Sequence, residues 1–126
     1  MEKASKGFRS LSAWNMAYEL ALIIYKLTRN FPKEETYALT SQLQRAAVSV
    51  PANIAEGYER KSKREYIQFL HIAKGSLGEV ETYLLLSKDL GYIDVKSYGA
   101  ANSMREETAK ILRGLIRSLD GASRST

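Results

Sequence analysis

Arg45, Ser49, Asn53, Glu56 and Arg60 recur through RAAVSVPANIAEGYERKSKREY, residues 45–66. At about 100° per residue they fall, with Ala52, within a sector of about 100° on one side of a helix. Leu43, Ala47, Val50, Ile54 and Tyr58 share the opposite, core side. Guanidinium, carboxamide and carboxylate groups in one stripe are the types that orient a polar substrate or hold an oxyanion. A catalytic constellation also needs a nucleophile and a base. No such pair is present, and Glu56 lacks a partner acid at reaction spacing, so catalysis by Arg45, Asn53 and Glu56 would require them to line an open pocket. As a ligand or nucleic-acid surface the stripe would rely on Arg45, Asn53 and Arg60, but few of its side chains are long enough to reach phosphates. A structural polar network at a helix–helix or subunit contact, Arg45, Ser49, Asn53, Glu56 and Arg60 with Glu79 opposite, accounts for the short side chains and is the reading adopted.

Pro51 sits inside this helix. It has no N–H to give to the Ala47 carbonyl, at a cost of about 3 kcal/mol and a bend. The freed carbonyl calls for a donor such as Ser49 or Asn53.

The remaining chemistry is sparse. His71 is the only histidine, and Gln68-x-x-His71 occurs once where a di-iron bundle needs paired Glu-x-x-His motifs. His71 is read as solvated or locally hydrogen-bonded. There is no phosphate loop, nucleophile elbow or zincin motif, so neither cofactor nor metal is expected and the chain is read as non-enzymatic. Tyr18, Tyr25, Tyr58 and Tyr66 lie on helical stripes and read as core or interface rather than as a base-stacking platform.

The elements that must position these residues are helices. Of the 126 residues 44% are hydrophobic, enough for one domain's core at a size where oligomerisation helps. Leu11, Trp14, Tyr18, Ala21, Tyr25 and Thr28 mark a helix over residues 11–30, beside a stripe of Leu20, Ile24, Leu27 and Phe31. Phe31-Pro32 ends it, and Pro32 opens a second helix over residues 33–60. Ser62-x-x-Glu65 is a capping box for a third over residues 63–90, its seam Tyr66, Leu70, Ala73, Leu77, Val80 and Leu84. Gly91 is its C-terminal cap. Asp94 or Ser97 starts a fourth over residues 95–119 with Ala101, Met104, Thr108, Ile111 and Leu115 inward. The fold class is all-α: a single-domain antiparallel up-down-up-down four-helix bundle with disordered tails. Helices one and three are apolar over more than one stripe, which predicts burial against another subunit. No cysteine, no signal-peptide core and no membrane-length apolar run predict a soluble cytoplasmic protein with no membrane partner.

In an antiparallel hairpin turning at Lys61-Ser62, Ser49 lies near Lys74-Gly75 and Arg45 near Gly78-Glu79. Gly75, Ser76 and Gly78 are then expected to admit a close backbone approach, with Arg45 pairing to Glu79. Charge supplies the functional lead. Residues 1–12, 56–66 and 113–126 share one end of such a bundle. They hold ten basic residues (Lys3, Lys6, Arg9, Arg60, Lys61, Lys63, Arg64, Arg113, Arg117 and Arg124) against Glu2, Glu56, Glu59, Glu65 and Asp120. The net charge of +5 therefore belongs to that pole. Lys110, Arg113, Arg117 and Arg124 also share one side of the last helix. In a cyclic oligomer such poles add into one polyanion-binding face.

Gln42, the run from Arg45 to Gly57 and Arg60 carry a specific resemblance, supported by Leu11-x-x-Trp14, Phe31-Pro32-x-x-Glu35 and Ala73-Lys74-Gly75-Ser76-Leu77-x-Glu79. From Phe8 to about Leu119 the chain resembles the four-helix-bundle proteins encoded within intervening sequences of bacterial 23S rRNA genes. That resemblance implies a cyclic homopentamer without a settled activity. A more distant one, to the accessory variability proteins of diversity-generating retroelements, implies a basic ring that works with a reverse transcriptase and nucleic acid. The function expected is RNA or DNA binding through Lys61, Lys63, Arg64, Arg113 and Arg117, assisted by Lys3, Lys6 and Arg9. The alternative is a protein-interaction scaffold or accessory subunit of a reverse transcriptase.

Overall fold

Backbone chemistry punctuates the chain where elements change. The computed structural model describes residues 7–124, which form helices α1 (Ser12–Thr28), α2 (Leu39–Tyr58), α3 (Lys63–Asp89) and α4 (Val95–Arg124). Short 3-10 turns occupy Gly7–Ser10 and Lys33–Glu35, and there is no strand among the described residues.

The break at Phe31-Pro32 is longer than the sequence predicts. Pro32 opens a 3-10 turn, and Ala38 leaves helical space at φ −123°, ψ −105°, so α2 begins at Leu39 and not at residue 33. The Glu35 carboxylate takes over as cap, Oε1 accepting from the Leu39 amide at 3.2 Å. At the start of α3 the Ser62 hydroxyl accepts from the Glu65 amide at 3.1 Å, the N-cap half of the capping box. Gly91, at φ +82°, ends α3: the Tyr92 amide donates to Ser87 O at 2.9 Å and the Gly91 amide to Lys88 O at 3.0 Å, a Schellman closure. Asp94 Oδ1 then accepts from the Ser97 amide at 2.7 Å and starts α4. That helix passes the predicted end at Leu119 and runs through Arg124, because Gly121 does not take the positive φ that stops α3 at Gly91.

Helices α1 and α3 each pack on both α2 and α4, while α1 and α3, like α2 and α4, lie diagonally across the bundle. The core between them holds Leu20, Ile24, Leu43, Val50, Ile54, Leu70, Leu77, Val80, Leu84 and Leu112. Two inward faces differ from those expected. In α1 the buried face is Ala13, Ala17, Leu20, Ala21, Ile24 and Thr28, drawn from both stripes, while Tyr18 and Tyr25 are exposed. In α4 Ala101 and Thr108 are buried as expected, but Leu112 and Ile116 are buried where Ile111 and Leu115 were expected, and these two and Met104 are only half-buried. In both helices apolar residues spread wider than one core face, and packing selects among them.

Candidate functional site

The polar stripe of α2 resolves into three local groups. Ser49 Oγ and Ser76 Oγ lie 2.8 Å apart across the α2–α3 contact, and Asn53 Nδ2 donates to Ser49 Oγ at 2.9 Å and Ser49 O at 2.8 Å. Asn53 thus serves the Ser49 carbonyl and not that of Ala47, and α2 continues through a buried Pro51 without interruption. Arg60 pairs with Glu56 one turn earlier and lays its guanidinium over the Phe69 ring at 5.2 Å. Arg45 donates to Gln42 Oε1 on its own helix. The expected Arg45–Glu79 pair is not formed: both residues are exposed, and no ion pair joins them among the described residues. None of the principal cavities is lined by Arg45, Asn53 or Glu56.

The glycines redistribute as well. A Cβ on Gly75 or Gly78 would meet nothing within 4 Å, so neither mediates the α2–α3 approach. Gly57 does. A Cβ there would stand 2.8 Å from Phe69 Cβ and 3.1 Å from Tyr66 O. The signal was present in the sequence, a glycine one turn before the α2–α3 connection, but its helical neighbours disguised it. Beside it Tyr58 and Tyr66 make an edge contact at 5.9 Å, and burial, then the Tyr58 phenol, pushes the Tyr66 phenol above its usual value. Of the tyrosines expected inside or at an interface, Tyr18, Tyr25 and Tyr58 are exposed and Tyr66 half-buried. His71 is exposed, and no cluster of three or more metal-ligating side chains occurs among the described residues.

The cations of the charged pole are carried by three elements. Lys61 lies in the α2–α3 turn and, with Glu59, Arg60, Ser62 and Glu65, lines an open cavity of about 550 Å³. Lys63 and Arg64 occupy the first turn of α3 and are exposed. Arg113 and Arg117 lie on α4, exposed, and line a second cavity of about 290 Å³ with Lys74 of α3. Arg9, in the N-terminal 3-10 turn, borders a third with Phe8, Trp14 and Tyr18. That turn meets the end of α2, with Gly7 facing Tyr58. Later residues of α4 lie against earlier ones of α3: Arg105 bridges to Glu81, whereas Arg113 and Arg117 share a wall with Lys74. Lys3 and Lys6 lie outside the described residues.

The sequence reading gave two residues no part in the charged surface or the core. Lys74 joins the arginines of α4, one helix over from where they were sought. Arg105 is 8% exposed and is held by Asn102 Oδ1 at 2.7 Å and Glu81 at 3.4 Å, the partners a buried guanidinium requires. No helix among the described residues is long and apolar enough to cross a membrane.

Comparison with known proteins bears on most of the chain. The family model for 23S rRNA-intervening sequence proteins matches residues 9–114. A crystal structure from Bacteroides thetaiotaomicron, of a protein with unknown function from the S23 ribosomal protein family, superposes with a TM-score of 0.74 at 28% identity, covering 82% of this chain and 97% of that one. No curated protein matches.

Proposed function

Because the chain belongs to the family of 23S rRNA-intervening sequence proteins, we propose that it is a non-enzymatic, ring-forming helical bundle that binds RNA or DNA through its basic pole. The observation that carries this reading is the placement of Lys63 and Arg64. They stand in the first turn of α3, where the helix dipole disfavours cations by about 0.3–1 kcal/mol each at low ionic strength. An anion meeting that turn gains from the side chains and the dipole together. Lys61 extends the same turn, and Arg113 and Arg117 add exposed charge from α4.

The order of contacts supports an antiparallel up-down-up-down arrangement. Gly57 of α2 faces Tyr66 and Phe69, and the earlier Ser49 faces the later Ser76. Ring assembly is supported by exposed apolar residues on two helices that are not neighbours in the bundle: the stripe Tyr18, Leu22 and Tyr25 on α1, and Ile72, Leu85 and Leu86 on α3. Two different faces on opposite sides of a protomer are what head-to-tail closure into a ring, a pentamer by family resemblance, requires. The same α3 face favours a second reading, a scaffold for a protein partner such as a reverse transcriptase.

Binding to single- and double-stranded RNA and DNA, followed against salt, tests the proposal. Affinity is expected to fall steeply with salt, and Lys63→Glu with Arg64→Glu to abolish it. No binding at low salt, or charge reversal without effect, would sink the nucleic-acid reading and leave the scaffold.

A further inference from the structure

The cavity between α3 and α4 carries a composition that phosphate binding alone does not explain. Lys74 from α3 and Arg113, Arg117 and Asp120 from α4 line its volume of about 290 Å³, together with the nearly buried Ile116. None of the four charged groups is in a salt bridge among the described residues. Gly121 completes the lining, and a Cβ there would meet nothing within 4 Å.

Three cations in one cavity attract a phosphodiester. A carboxylate among them weakens that attraction unless the ligand also presents hydroxyl donors. A ribonucleotide presents both: an anionic phosphate and, beside it, the 2′-hydroxyl that deoxyribose lacks. A carboxylate is also the group that elsewhere accepts from a ribose hydroxyl. Ile116 supplies an apolar surface for the sugar carbons.

We infer that this groove seats one ribonucleotide of an RNA strand, the phosphodiester against Lys74, Arg113 and Arg117 and the 2′-hydroxyl donating to Asp120. The inference rests on the nucleic-acid reading above and sharpens it, placing the selective contact in the α3–α4 groove and the choice of RNA over DNA with Asp120.

The test is a titration of the full chain with single-stranded RNA and DNA of one sequence at low salt, using wild type, Asp120→Asn, Lys74→Gln and the Lys63→Glu, Arg64→Glu pair, with helix content checked by circular dichroism. Wild type is expected to favour RNA about tenfold, the scale of one hydrogen bond to a charged group. Asp120→Asn removes that preference: losing the carboxylate's charge strengthens phosphate binding by DNA, whereas in RNA that gain is offset by a weaker bond to the 2′-hydroxyl. Lys74→Gln weakens both and lowers the salt slope by about 0.7. Equal affinity of wild type for RNA and DNA overturns the inference, as does a shift of both alike in Asp120→Asn. Full RNA binding by Lys74→Gln, with loss only in the Lys63, Arg64 pair, also overturns it while leaving the pole intact. Absence of all binding overturns both readings.

Discussion

At Gly57 only a hydrogen fits, because Phe69 Cβ and the Tyr66 carbonyl stand where a methyl group would be. Backbone and Cβ atoms cannot swing aside, so Gly57→Ala forces the end of α2 away from the start of α3. A loss of about 1–3 kcal/mol is expected, read as a lower denaturant midpoint. Gly75 and Gly78 predict the opposite. Each faces open space in the protomer, and alanine at either raises stability by about 1 kcal/mol through helix propensity. Should those two substitutions destabilise, something covers that face of α3. Arg105 illustrates the cost of charge at this scale: its stem is packed inside, and Glu81 and Asn102 hold its head.

Between elements, side-chain caps decide where helices start and how the far pole is tied. Glu35 caps α2 and also accepts from the Tyr92 phenol at 2.8 Å, joining the α1–α2 and α3–α4 connections. That bond to the carboxylate is the main cause holding the Tyr92 phenol above its usual value. Asp94 is shifted the other way: the hydrogen bond from the Ser97 amide holds its carboxyl below the usual range. The unfolded chain therefore binds this proton more readily than the folded one. Its contribution is present above the ordinary carboxylate pKa and is lost as pH falls through the lower folded value. Thermal unfolding of Asp94→Ala is expected to show a deficit at neutral pH that closes in acid, while Asp94→Asn, still an N-cap residue, loses less. A deficit of constant size at all pH values would show that the charge plays no part.

Over the whole molecule, the diagonal placement of α1 and α3 puts their exposed apolar residues on two separate sides of the protomer. Leu22 and Ile72, each 51% exposed, belong to opposite ones. Exchange of both for serine is expected to leave the helical spectrum unchanged and reduce the solution mass to that of a protomer, as measured by light scattering. A wild-type chain that is already monomeric would refute the ring. In the proposed ring, poles pointing one way would multiply the phosphates engaged and steepen the salt dependence.

Helix number, the stop at Phe31-Pro32, the Ser62 and Asp94 caps and the Gly91 turn were all legible in the chain, because each depends on chemistry within a few residues. The basic turn at Lys61 to Arg64 was legible for the same reason. Tertiary packing decided the rest. It drew the inward face of α1 from both of its apolar stripes, turned Leu112 and Ile116 of α4 inward in place of Ile111 and Leu115, and gave the close approach to Gly57 instead of Gly75 and Gly78. It also carried Lys74 to the arginines of α4. Local sequence sets where a helix begins and ends, but its rotation is fixed only by the shape of its neighbours, and rotation determines which side chains meet.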